Sequence, residues 1–232
     1  MSNPRRAIEG RTAGAAVRLL AAACLLFALI QPARALDPHL AVSQYVFDNW
    51  QIQQGLPQNS VEAIARTPDG YLWLASHEGL VRFDGVRFTV FDRGNTPQLR
   101  SRIITRLHVD GDDLWIGTRV GVLTYSAGKF QTREEPGLRD GYIRAITSGN
   151  DGRVWVGTDQ GLFEVAGNSV RTYAREQGFA DTAIRSVQVG NNGTVWVATN
   201  VGGLYRNTGG RFEKIPVAAS PGSDVVRAMF ED

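Results

Sequence analysis

Apolar residues in this chain come in short runs broken by turn residues, and the runs recur at a fixed interval. Trp73, Trp115, Trp155 and Trp196 lie 42, 40 and 41 residues apart, within segments reading DGYLWLASHEGLVRF, GDDLWIGTRVGVLTY, DGRVWVGTDQGLFEV and NGTVWVATNVGGLYR. A β-branched residue stands 12 positions before each tryptophan: Val61, Ile103, Ile143 and Ile184. Val225 repeats that position 41 residues after Ile184.

Each unit reads as four short strands. In the first, a strand from about Val61 to Arg66 uses Val61 and Ile64 as apolar anchors. Asp69-Gly70 supplies a hairpin turn, and Tyr71 to Ala75 carries the tryptophan. The loop Ser76-His77-Glu78 leads to Gly79 and a third strand, Leu80 to Phe83. Asp84-Gly85 turns the chain into a fourth, Arg87 to Phe91. Short, evenly spaced strands with a glycine and aromatic signature per unit predict an all-β fold, a β-propeller of four-stranded blades. Nowhere does an apolar period of 3.6 run far enough for a helical solenoid. The repeats are expected at about 61–102, 103–142, 143–183 and 184–224, with the first strand of a fifth blade at 225–232. Gly55, Gly137 and Gly178 each lie six residues before a first strand, so residues 42–50 read as an orphan fourth strand that closes a ring. The sequence thus predicts four complete blades of a partial propeller, with ends expected to fray or associate.

Residues 1–35 read differently. An arginine-rich start precedes the apolar run Leu19 to Ile30, and Ala33-Arg34-Ala35 has the small-x-small form of a cleavage site. At 12 residues the run is shorter than the roughly 20 needed to span a bilayer. A signal peptide cut after Ala35 is expected, leaving residues 36–232 as an exported domain in the periplasm. The alternative is an uncleaved anchor. Cys24, the only cysteine, falls within this run, so the exported part holds no disulfide and no thiol chemistry. The formal net charge is +2, yet Arg5, Arg6, Arg11, Arg18 and Arg34 stand against Glu9 alone in this leader. The other 20 basic and 22 acidic residues give −2, which argues against a nucleic-acid partner.

The repeat resembles the two-component regulator propeller, whose pattern runs roughly V-x-x-I-x-x-D-x-x-G-x-L-W-[IV]-G-T-x-x-G-L-x-[RY]-[FY]. Trp50 with Gly55-Leu56-Pro57 and Ser60-Val61 resembles the start of such regions. Departures are Ala75 and Ala198 in place of a glycine, and an added residue at Gly202-Gly203. The resemblance implies a periplasmic ligand-sensor region of a receptor whose remaining blades, membrane helix and output domain, a histidine kinase or diguanylate cyclase, lie elsewhere. A full-length homodimer is possible, the ligand would be a small molecule or glycan, and no cofactor is implied.

Candidate chemistry is sparse. The Asp-Gly pairs lack the dense carboxylate spacing of a calcium loop and suit hairpin turns. The four tryptophans could stack sugars, but their fixed register suits packing between blades. His77-Glu78 could serve as a base with a neighbouring acid, yet no other unit repeats a histidine there. Loops between second and third strands vary on a constant scaffold: His77-Glu78, Arg119-Val120, Asp159-Gln160 and Asn200-Val201. Ligand recognition concentrates in such loops, so His77, Glu78, Arg119, Asp159 and Asn200 are the expected binding residues. Ordinary surface variation is the alternative. A sensor module without catalysis is the expected function, and a secreted propeller enzyme of lyase or quinoprotein type is the alternative. No catalytic residue and no metal ligand is expected.

Overall fold

The computed structural model describes residues 48–208 and 210–216, together with Val226 and Met229. Among the described residues, sixteen strands form four separate four-stranded sheets, each in simple sequence order. The first blade comprises β1 (Ala63–Arg66), β2 (Leu72–Ser76), β3 (Gly79–Phe83) and β4 (Phe88–Phe91). The second comprises β5 (Ile104–Asp110), β6 (Asp113–Thr118), β7 (Val122–Ser126) and β8 (Lys129–Thr132). The third comprises β9 (Ile143–Ser148), β10 (Val154–Thr158), β11 (Leu162–Ala166) and β12 (Ser169–Tyr173). The fourth comprises β13 (Ile184–Val189), β14 (Val195–Thr199), β15 (Leu204–Thr208) and β16 (Arg211–Ile215). All pairings are antiparallel hairpins, so the fold is an all-β array of propeller blades.

A two-sided sheet gains stability by burying both faces, and here successive blades bury their facing sides against each other. Three apolar cores result, one at each junction between successive blades. Trp73 of the first blade packs with Ile104, Leu114 and Leu123 of the second. Trp115 joins Ile143, Val154 and Phe163 of the third. Trp155 joins Ile184, Val195, Tyr205 and Phe212 of the fourth. The rings interlock, with Trp73 4.8 Å from Tyr125 and 5.7 Å from Phe91 between centroids. Trp196, with no described blade following it, is half-buried beneath Arg206.

Two expectations need correction. The inner-strand residue of the second blade is Ile104, fully buried and opposite Thr118, and not Ile103. In the other blades the partner of tryptophan stands eight positions earlier, as in Trp155 with Thr147, but Trp115 pairs with His108, seven earlier. A tighter turn between Asp110 and Asp113 removes one residue from that hairpin. Val61 and Ile64 are not core anchors: they are 38% and 65% exposed, because their face looks away from the second blade and no described blade precedes it. The expected strand at 42–50 falls outside the described residues as far as Phe47, and Asp48 to Trp50 is irregular. Trp50 packs its ring 5.0 Å from Phe83 of the first blade. Most of 225–232 also lies outside the described residues, with Val226 and Met229 irregular. The leader, Cys24 and the cleavage site after Ala35 lie outside them entirely.

Candidate functional site

Antiparallel order within each blade places the loops between second and third strands at the same end as the connections from one blade to the next. The other two hairpins lie at the opposite end. This end gathers the expected binding residues, and one repeated device shapes it. The hydroxyl residue ending the second strand is buried in every blade: Ser76, Thr118, Thr158 and Thr199. Thr118 Oγ1 donates to the Gly121 carbonyl at 2.8 Å and accepts from the Val120 amide at 2.9 Å. Thr158 repeats this with Gly161 and Gln160, and Ser76 with Gly79 and Glu78. Thr199 takes the Gly202 amide at 2.9 Å, one residue further along, which accommodates the added glycine. Each loop is therefore fixed in backbone while its side chains differ from blade to blade.

Those side chains reach different partners. His77 Nε2 lies 3.1 Å from Glu62, not beside Glu78, and its amide donates to Gln58. Glu78 pairs instead with Arg102 at 3.0 Å, in the connection to the second blade. Asp159 accepts the Tyr142 amide at 2.9 Å. Asn200 accepts from Arg185 at 3.1 Å, and its amide donates to the Ala183 carbonyl. The Arg119 guanidinium stands 5.7 Å from the Tyr142 ring centre, with Arg144 at 4.5 Å from the same ring. Arg144 Nε is buried with no partner among the described residues, as is Glu135 Oε2.

Beside the Arg119 loop a shallow groove of about 430 Å³ is lined by Pro97, Gln98, Arg100, Thr132, Glu134 and Arg139. Arg139 and Arg100 both bond Asp140, at 2.9 and 3.2 Å, and hold its carboxyl below the usual carboxylate range. Fixed loops, exposed polar tips and a groove suit reversible binding of a polar solute. Among the described residues no group of three His, Cys, Asp or Glu side chains is placed to hold a metal ion. At the opposite end, His108 Nε2 lies 2.8 Å from Ser148 Oγ across the junction of the second and third blades. Burial lowers the His108 pKa against a smaller opposing effect of Asp110. Arg102, Tyr142, Arg144 and Arg185 were not visible as site residues in sequence. For Tyr142, Arg144 and Arg185 the available signal was their place directly beside the repeating inner-strand position.

A sequence model of the two-component regulator propeller matches residues 55–78 and 137–160. The chain carries two-component regulator propeller repeats. Each matched span runs from a positive-φ glycine, Gly55 or Gly137, through the inner and tryptophan strands into the loop just described. Among solved structures, the repeat array is similar to the extracellular domain assigned to the hybrid two component system BT3049 from B. thetaiotaomicron. That match has 23% identity and a TM-score of 0.63, and covers 77% of this chain and 25% of the other. The corresponding domain of BT4673 from the same organism gives 22% identity and 0.60, covering 71% and 22%. Virginiamycin B lyase from Staphylococcus aureus gives 14% identity and 0.57, covering 72% and 58%. At these identities the likeness is one of fold, and the chain spans about a quarter of the length of the two extracellular domains. No curated protein matches the sequence.

Proposed function

We propose that this chain is an extracytoplasmic ligand-sensing propeller region of a bacterial signal-transduction receptor, exported to the periplasm and not itself catalytic. The carrying observation is the end at which four loops, each closed by a buried hydroxyl residue, present different side chains. Such an end is a rigid frame with interchangeable recognition groups, as binding surfaces on repeat scaffolds are built. The repeat family and the likeness to extracellular domains of hybrid two component systems support the same reading. The ligand is a soluble small molecule or glycan, and the output is a kinase or cyclase acting across the membrane.

The test is a thermal-shift screen of soluble sugars, oligosaccharides and small organic acids on the exported protein. A ligand of this end raises Tm in a concentration-dependent way. The quadruple variant His77→Ala, Arg119→Ala, Asp159→Ala, Asn200→Ala keeps its unliganded Tm within a few degrees, at roughly the level expected for surface changes, and loses the shift. No shift with any compound, or an unchanged shift in the variant, overturns the proposal.

A further inference from the structure

We propose that Arg119 and Arg144, set about the Tyr142 ring, form a subsite for an oxyanion, a carboxylate or sulfate, carried by a small hydroxylated ligand. The proposal deepens the sensor reading above and rests on it. Of the other cations at this end, Arg102 has Glu78, Arg100 and Arg139 share Asp140, and Arg185 bonds the Asn200 side-chain oxygen. His77 has Glu62. Arg119 and Arg144 differ. Among the described residues neither makes an ion pair, and the contact of each guanidinium group is the face of Tyr142, at 5.7 and 4.5 Å.

A guanidinium near an aromatic face keeps N–H donors free for other acceptors, and paired N–H groups grip an oxyanion. Arg144 adds a second observation: its Nε is buried and has no hydrogen-bond partner among the described residues, and an unpaired buried donor is costly. The two cations come from different blades. Arg119 sits in the loop of the second, and Arg144 on the inner strand β9 of the third. Only the packing of those blades brings them together. Asp159 completes the subsite. One of its oxygens accepts the Tyr142 backbone amide, and the carboxylate remains exposed as an acceptor for a hydroxyl. Two cations against one carboxylate leave the subsite positive, so it favours the anionic sugar over the neutral one.

The experiment is calorimetric titration of the whole exported protein with sodium glucuronate and with glucose, and with sodium sulfate as a second probe, ionic strength being matched with sodium chloride. Glucuronate binds at least about tenfold more tightly than glucose, the scale of a charged hydrogen bond, and weakens as salt rises. Arg119→Ala and Arg144→Gln each lose about that factor for glucuronate and sulfate, and leave glucose unchanged. Arg119→Lys keeps the charge but not the fork, and weakens binding by less. Sulfate also stabilises proteins by exclusion from their surface. That effect persists in Arg119→Ala, whereas site binding does not. Equal binding of glucuronate and glucose, or undiminished binding of both anions in the two variants, overturns the subsite. Neutral ligands that still depend on the loop residues would then leave the sensor reading standing. Failure of every ligand class would remove both.

Discussion

At Gly117 and Gly157, two residues beyond a tryptophan, an added Cβ would lie 2.6 Å from Cγ2 of Ile143 and Ile184 in the next blade. The glycine is a socket for the neighbouring isoleucine, and its lack of a side chain sets the distance between blades. Gly157→Ala should therefore cost about 1–3 kcal/mol, the range for overpacking a close-fitted site. Denaturant midpoints at constant m-value check this, and a loss below about 0.5 kcal/mol would show that Ile184 moves aside freely. His108 sets a second residue-level expectation. Its folded pKa is lowered by burial, so below the unfolded value of about 6.5 the unfolded chain binds more protons than the folded one. Stability should fall as pH drops through that value, and His108→Gln should flatten the decline. An unchanged pH profile in the variant would mean that His108 protonates as readily folded as unfolded.

At the scale of single elements, the constant part of the repeat does two jobs. Its tryptophan fills the junction with the next blade, and its hydroxyl residue closes the loop. Trp115 is 3% exposed and Trp155 4%, but Trp196 is half-buried. Trp115→Ala should cost about 3–5 kcal/mol, and Trp196→Ala roughly half as much because less of its area leaves water. Equal losses at the two positions would mean that Trp196 is covered by residues beyond those described. The blades were legible in sequence because tryptophan, glycine and hydroxyl residue recur at fixed spacing. Ile103 keeps the repeat spacing while Ile104 takes the buried place, since a turn shortened by one residue shifts the inner strand but leaves the tryptophan motif intact. The loop tips His77, Glu78, Arg119, Asp159 and Asn200 were legible as variable positions on that scaffold. Their partners were not. Arg119 meets Tyr142, and Glu78 meets Arg102, across separations that only the stacking of blades closes.

The stack of blades as a whole is polar in the sense that each blade has a tryptophan face and an aliphatic face. On the aliphatic face, the fourth blade sets Ile184, Val187 and Val195, which are 0%, 6% and 5% exposed against the third. The same three positions of the first blade are Val61, Ile64 and Leu72, at 38%, 65% and 37%. The chemistry is unchanged and only the neighbour differs. An apolar triplet left in water contributes nothing to stability and favours association with a complementary face. Equivalent substitutions at the two ends separate burial from identity. Val187→Asp would bury an unpaired carboxylate and should cost more than about 3 kcal/mol. Ile64→Asp should cost less than about 1 kcal/mol and reduce any concentration-dependent self-association seen by light scattering. If Ile64→Asp proves as damaging as Val187→Asp, the first blade has a neighbour on its aliphatic face after all. The tryptophan face of another blade is then its expected cover, since that pairing is the one found at all three junctions described.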